Sequence, residues 1–279
     1  MVKELFKRFL TLFKFKKQKK IGLALGSGGS RGVAHIGFLQ ALEEADIHPD
    51  YISGCSMGSI VGAAYAAGLT THEMRHAAFS LRFFDLIDVT RKPGGVLDTR
   101  KMKKLLTRYI GERTFEDLKI PFSCVAVDML RQEVVEFSSG SVVDAIVASS
   151  SIPSVFKPME VDGMRLVDGG VLRRVPVGEV KQMGADVVVA VDVLGKRIIN
   201  ERCPNPIVLL TEIIDVMDYE RTQIYRQKMR KQYNLWLEPE LGNMSQYSFK
   251  KLDYAYEKGY ELGKKYARKI RTLLLSDKT

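Results

Sequence analysis

Residues 51–68 read YISGCSMGSIVGAAYAAG, which sets Ser56 between Gly54 and Gly58 and follows it with small residues. Residues 51–53 favour a short strand, Gly54-Cys55-Ser56-Met57-Gly58 a sharp turn, and the rest a helix to about Gly68. Gly-x-Ser-x-Gly between a strand and a helix is the pattern of a nucleophile elbow. Small neighbours let the chain turn sharply, and the serine oxygen stands exposed at the strand's C-terminal end. The helix N-terminus beyond it favours developing negative charge. Two other readings compete. A glycine-rich turn without chemistry has the same local sequence. A membrane helix is suggested because no Asp, Glu, Lys or Arg falls between Asp50 and Glu73, and because Gly54, Gly58 and Gly62 recur every fourth residue. Against a span, Ser53, Ser56, Ser59, Thr70 and Thr71 make the run polar, and the flanking pattern needs it in a sheet.

Upstream, residues 21–25 form an apolar run that stops at GSGGSRG, residues 26–32, and residues 33–45 have helical periodicity. Downstream, apolar runs recur at 122–129, 133–137, 164–170 and 186–194. Helical patterns cover 99–111, 141–149, 176–183, 207–232 and 248–274. Alternating strands and helices predict an α/β fold with a mainly parallel sheet. Asp162-Gly163 reads as a tight hairpin turn just before Asp168. No fixed-period repeat and no Pro/Ser-rich linker divides the chain. Residues 21–279 are therefore expected to form one domain, with a motif-bearing core over about 21–195 and a helical part over 205–279.

The net charge of +10 lies mostly in residues 1–20, whose eight Lys and Arg against Glu4 carry +7. The near-neutral body excludes a general nucleic-acid footprint on the folded domain. In MVKELFKRFLTLFKFKKQKK, Leu5, Phe6, Phe9, Leu10 and Phe13 fall at helical intervals, with Lys3, Lys7, Arg8 and Lys14 largely elsewhere on the wheel. That is a basic amphipathic segment suited to an anionic membrane surface. A solvated tail or a helix packed on its own domain fits the same pattern. Charge interrupts its apolar residues and no small-residue cleavage site follows, so it is a poor signal peptide; it is also too short to span a bilayer. Cys55, Cys124 and Cys203 are odd in number and far apart, which implies a reducing compartment rather than a disulfide framework. The expected location is cytoplasmic, peripheral at the inner face of the membrane.

A serine nucleophile needs a base. The four histidines are His35, His48, His72 and His76, and no histidine follows in the remaining two hundred residues or so. The order Ser, then Asp or Glu, then His of an α/β-hydrolase cannot be built. His35 reads as a packed or capping residue, and His72 and His76 as ordinary helix positions. Asp168 is the leading candidate base. It ends a short strand and precedes Gly169 and Gly170, which allow close approach of another loop, and partial burial would raise its pKa toward a useful value. The competing reading of Asp-Gly-Gly is a plain turn.

The loop GSGGSRG could form an oxyanion hole from backbone N–H groups at a helix N-terminus. It could instead hold a phosphate, although no Lys-Ser/Thr follows as a Walker loop requires. Its glycines also resemble a dinucleotide fingerprint, so an NADP-dependent oxidoreductase is a rival. That reading lacks the acid at the end of the next strand, where Gly54 and Ser56 stand instead. Its Tyr/Lys pairs, Tyr254 with Lys258 and Tyr260 with Lys264, lie in the C-terminal helix pattern.

Four motifs occur in order: GSGGSRGVAHIGFLQAL, GCSMGSIVGAAYAAG, ASSSIPSVFKP at 148–158 and VDGGVLRRVPV at 167–177. Together, over about residues 20–195, they resemble the patatin-like phospholipase family. The resemblance implies a three-layer α/β/α fold and a Ser–Asp dyad that works without histidine, which fits the histidine shortage. It implies Ser56 as nucleophile, Asp168 as base, and an oxyanion hole of backbone amides at Gly28 and Gly29 with Ser30 as neighbour. Arg31 matches the family's basic loop position, where it either orients the loop or meets a lipid phosphate. Gly54, Gly58, Gly169 and Gly170 are expected to support the two catalytic turns. Two positions depart from the pattern. Cys55 stands where Thr is common, and is read as a buried small residue. Arg174 stands where many relatives have Asn, which removes a hydrogen bond that an amide would give.

The implied activity is hydrolysis of lipid acyl esters, phospholipid or lysophospholipid, through an acyl-enzyme, with no metal or cofactor and no particular oligomeric state. Residues 148–158 would line an acyl pocket or form a rigid core loop. Residues 81–97, with Phe83, Phe84, Leu86 and Ile87, would form a mobile flap or a packed helix and loop. The rival from another class is a non-catalytic, membrane-associated lipid-binding or interaction protein.

Overall fold

The computed structural model describes residues 19–80, 88–89, 95–195, 206–247 and 249–276. The apolar run at the start becomes β1 (Ile21–Leu25), buried at every residue. It has no polar alternation because both faces are covered. Ile21, Leu23 and Leu25 enter one core and Ala24 the other. β2 (Tyr51–Cys55) lies parallel to β1 on one side and β10 (Val187–Val191) on the other. Strand β10 alternates in the same way, with Val187, Val189 and Val191 facing one core and Val188 and Ala190 the other. A sheet with two buried faces is the expected setting for parallel strands.

The sheet has eight strands in the order β11-β10-β1-β2-β5-β9-β8, with β6 also paired to β5. Here β5 is Phe122–Asp128, β6 Glu133–Phe137, β8 Met159–Val161, β9 Met164–Asp168 and β11 Leu235–Leu237. The register of β5 matters most. Its residues 124–128 all pair with β6, so β6 takes one edge. The other edge pairs residues 122–125 with β2 in parallel and 126–128 with β9 in antiparallel. β2 and β9 therefore meet along one edge of β5 with their C-terminal ends facing. Cys55 sits opposite Val125 and Asp168 opposite the next residue, Ala126. The β8–β9 turn is the expected hairpin: Asp162 and Gly163 have φ of 49° and 71°, as a type I′ turn requires.

Helices cover both faces. On one lie α1 (Ala34–Glu44), α2 (Met57–Ala66), α3 (Thr71–Ser80), α4 (Arg100–Ile110), α5 (Val142–Ser149) and α8 (Leu252–Leu275). On the other, α6 (Val177–Gln182) and the end of α7 (Pro206–Lys228) pack with Tyr233 and Trp236. A small second sheet joins β3 (Asp88–Val89), β4 (Gly95–Asp98) and β7 (Ser154–Phe156). Residues 51–66 thus divide into a strand and a ten-residue helix. Among the described residues no helix is long and apolar enough to cross a membrane.

α1 and α8 approach so closely that a Cβ on Gly259 would overlap the Ala34 carbonyl oxygen. In an exposed helix interior, Gly→Ala stabilises by about 1 kcal/mol. Here the overlap with fixed backbone outweighs that gain, and Gly259→Ala is expected to destabilise by roughly 1–3 kcal/mol. Urea unfolding measures it, and a variant more stable than wild type would mean a looser helix pair.

Candidate active site

Ser56 is the residue between β2 and α2, with φ 52° and ψ −123°. A residue with a Cβ holds that conformation when its surroundings enforce it. Its amide donates to Ser149 Oγ at 2.9 Å, and the Ser59 hydroxyl donates to its carbonyl at 2.6 Å. Gly58 lies against the carbonyls of Leu25 and Gly26, and Gly54 against the backbone of Gly58 and Ser59, leaving no room for a Cβ at either.

The facing ends of β2 and β9 bring Asp168 to this turn. Its carboxylate accepts the Gly170 amide at 2.7 Å, and the Ser56 hydroxyl is close enough to favour its charged form. The Cys55 thiol donates weakly to it across 3.9 Å. Asp168 is 5% exposed. Burial pushes its pKa up to about 6, the Ser56 hydroxyl and the Gly170 amide oppose this, and the nearby Asp218 charge adds to it. Such a carboxylate is ionised at neutral pH yet basic enough to accept a proton. Gly169 fits against the Val125 carbonyl, where a Cβ would overlap it. Cys55 is fully buried, and burial followed by the Asp168 charge pushes its thiol far up. It behaves as a small packed residue rather than a redox centre.

The glycine loop is pinned from several sides. The amides of Gly26, Ser27, Ser30 and Arg31 donate to the carbonyls of Val191, Arg174, Gln246 and Gly28. Among the described residues, no acceptor meets the amides of Gly28 and Gly29. Ser30 therefore differs from its neighbours: its amide is already engaged, and its hydroxyl donates to the Ser245 carbonyl at 3.2 Å. Gly29 has φ 51°, and a Cβ there would strike the Gln246 carbonyl. The His35 Nε2 lies 2.8 Å from the Gly26 carbonyl, and burial lowers its pKa to about 4, so a neutral imidazole donates to the loop. Arg31 is 2% exposed. Its guanidinium donates to the carbonyls of Val193 (2.7 Å) and Met244 (3.2 Å), tying the loop down rather than lining the cavity.

Ser56, Gly29 and Ser30 stand in the wall of a cavity of about 220 Å³. The rest of its lining is almost wholly apolar and includes Val61, Met102, Leu106, Ile152, Val155 and Phe156. The motif at 148–158 thus supplies lining through Ile152, Val155 and Phe156. It also supplies Ser149, whose hydroxyl holds the Ser56 amide, a role hidden in a run of three serines. Phe83, Phe84, Leu86 and Ile87, and residues 1–18, lie outside the described residues.

Beneath the Asp168 turn runs an ionic chain. Arg174 is 4% exposed and bridges Asp192 and Asp218, each at 2.7 Å. Arg221 pairs with Asp218 and donates to the Gly170 carbonyl at 2.7 Å. The Arg174 carbonyl also accepts the Ser27 amide at 3.0 Å, so one residue fastens both the Asp168 turn and the glycine loop. Burial opposes the Arg174 charge, but Asp192 and Asp218 more than offset it and hold its pKa above the ordinary value. The Tyr254 and Tyr260 hydroxyls engage Glu240 and Glu44 rather than the glycine loop, and β2 ends in Gly54-Cys55, so neither mark of a dinucleotide site is met.

Of solved structures, VipD from Legionella pneumophila superposes with a TM-score of 0.61 at 14% identity, covering 91% of this chain and 67% of that one. The type III effector ExoU gives 0.51 at 15% identity, over 93% and 54%. These likenesses concern the fold. In sequence, an uncharacterised NTE family protein of Mycobacterium tuberculosis is 40% identical over 179 residues, 63% of this chain and 49% of that protein. A lysophospholipase nte1 of Neosartorya fischeri is 29% identical over 282 residues, 91% of this chain and 18% of that protein. The chain thus spans about half the length, or less, of these curated relatives. A family model described as patatin-like phospholipase matches residues 23–181, more than half of the chain. The match runs from β1 through α6, across the pinned glycine loop and both strand ends that meet on β5, and on it the chain belongs to the patatin-like phospholipase family.

Proposed function

We propose that the protein hydrolyses carboxylic acyl esters of lipids, with phospholipid or lysophospholipid as substrate, through an acyl-enzyme on Ser56. The observation that carries this is that the facing ends of β2 and β9 bring buried Asp168 to the Ser56 turn, with Ser56 in the wall of an apolar cavity. Ser56 Oγ attacks the ester carbonyl carbon while Asp168 takes its proton. The carbonyl oxygen becomes an oxyanion that accepts the N–H groups of Gly28 and Gly29. Collapse expels the alkoxide, which leaves with the proton from Asp168. Asp168 then takes a proton from water as that water attacks the acyl carbon. The second collapse releases the fatty acid and returns the proton to Ser56. The cavity holds the acyl chain, and its apolar wall strengthens each charge interaction at the dyad. The contact of residues 1–20 with anionic lipid at the inner face of the membrane is inferred from their charge pattern alone.

Intact mass after incubation with a fluorophosphonate tests the nucleophile. Wild type is expected to gain one adduct and Ser56→Ala none. A folded wild type that takes no adduct would replace this reading with that of a lipid-binding module, which keeps the cavity and performs no chemistry.

A further inference from the structure

Helix α2 runs the length of the cavity. Met57, Ile60, Val61 and Ala64 all line it, which is the spacing of one helix face. Ser56, at the start of the helix, lines it too. Beyond the other end, Leu69 folds back to line it, its amide donating to the Ala64 carbonyl at 3.1 Å. From position 56 to position 64 the helix rises about 12 Å. The two ends differ in chemistry. Beside Ser56 stand Gly29, Ser30 and Gln246, whose carbonyl accepts the Ser30 amide at 2.9 Å. Tyr247, next to Gln246, also lines the cavity while 50% exposed, and so marks its mouth. The Arg113 guanidinium donates to the Ala67 carbonyl at 3.1 Å, which brings the end of α4 to the end of α2. The lining there is apolar except for the partly exposed Tyr109, and Val61, Ala64, Met74 and Ile110 are all buried.

We propose that α2 is a ruler for the acyl chain, which lies along it from Ser56 toward Ala64, and that Ala64 with Leu69 sets the longest chain the cavity takes in full. The ruler rests on the acyl-hydrolase reading above and adds to it a chain-length class. With the polar groups gathered at the nucleophile, a chain whose ester carbonyl meets Ser56 has its apolar remainder directed down the helix. An extended alkyl chain, with bonds of ~1.52 Å meeting at ~111°, advances ~1.25 Å per carbon. The span along α2 therefore houses about ten carbons. Each methylene set against the apolar lining strengthens binding about fourfold. A carbon past the end must fold back, displace Leu69 or stay in water, and gains nothing. The small side chain at position 64 keeps the path open. Helical side chains lean toward the N-terminus, so a larger residue there would lie over the preceding turn, in the path of the acyl chain. The geometry thus selects esters of medium-length acids over short and long ones.

The test reads kcat/KM for p-nitrophenyl esters of four to sixteen carbons in the full chain. Wild type is expected to climb about fourfold per added methylene and to stop climbing at about ten carbons. In Ala64→Phe the ring fills one helical turn, ~5.4 Å, and the break should move down to about six carbons. The ratio of the ten-carbon to the four-carbon ester should then fall at least ~10-fold. A ratio cancels any general loss of active protein, and the milder Ala64→Leu should fall between. A wild-type climb that continues unbroken to sixteen carbons would overturn the ruler. So would a break that does not move in either variant, which would place the acyl chain against Val33 and Leu252, elsewhere in the same cavity. Calorimetric titration of saturated fatty acids into Ser56→Ala separates the ruler from the chemistry. The same break in their affinity, in a protein whose wild type takes no fluorophosphonate and turns over no ester, would sustain the ruler while removing the hydrolase reading. Ester turnover without a break would remove the ruler and leave that reading in place.

Discussion

Asp168→Asn is expected to lower kcat/KM for a soluble ester by roughly 10³–10⁴-fold, the full contribution of a general base with no histidine to share its role. The asparagine oxygen can still accept the Gly170 amide, so the turn survives and the loss isolates proton transfer. The wild-type pH profile carries the same prediction. The ionised carboxylate is the working form, so kcat/KM should fall as pH drops through about 6. The stability linkage has a definite sign. A folded pKa raised above the unfolded value means that the folded state favours the neutral acid. Asp168 therefore favours folding most below its unfolded pKa, and that contribution is lost as pH rises through about 6. At pH 8 the charge is buried at a cost, and Asp168→Asn should be more stable than wild type by on the order of 1–3 kcal/mol. A variant less active because it is less stable would contradict the assignment, as would an acidic limb near the ordinary carboxylate range.

How much of this was legible in the sequence depends on whether the decisive contacts are local. β1 occupies residues 21–25 as read, because a strand buried on both faces leaves a continuous apolar run. The elbow at Ser56 and the Asp162-Gly163 turn were equally readable, since both need particular residues at adjacent positions. Strand β11 was missed, because Leu235–Leu237 is three residues long and borrows its register from β10. The meeting of β2 and β9 was not readable from either strand. It is written in β5, whose successive residues pair first with one and then with the other. The histidine shortage implied a carboxylate base, but the pKa of that base is set first by its burial and then adjusted by groups that include Asp218, fifty residues away. Periodicity over 207–232 announced a helix without telling which face would turn inward. That orientation is set by Arg174, whose need for carboxylates draws the polar side of α7 onto the body of the protein.

Replacing Arg174 with Met should destabilise the protein by roughly 3–5 kcal/mol, the usual loss when one partner of a buried ion pair is removed. Asp192 is fully buried and would lose its cationic partner, keeping only the Leu194 amide at 3.1 Å and the Gly195 amide at 3.4 Å of its hydrogen bonds. At a few degrees per kcal/mol for a domain of this size, the melting temperature should drop by roughly 10 °C. The double variant Arg174→Met/Asp192→Asn should recover much of that loss, because no uncompensated charge remains. Arg174→Lys should fall between, since an ammonium cannot reach two carboxylates with a planar fork. The same substitution should reach the chemistry. With Arg174 gone, the Asp218 charge near Asp168 is less neutralised, and a stronger negative neighbour favours the protonated acid. The acidic limb of kcat/KM should then move above the value of about 6 expected for wild type. If the limb stays in place while stability falls, the ionic chain braces the turn without tuning its base. An unchanged melting temperature would mean that Asp192 finds another partner and that the chain carries neither role.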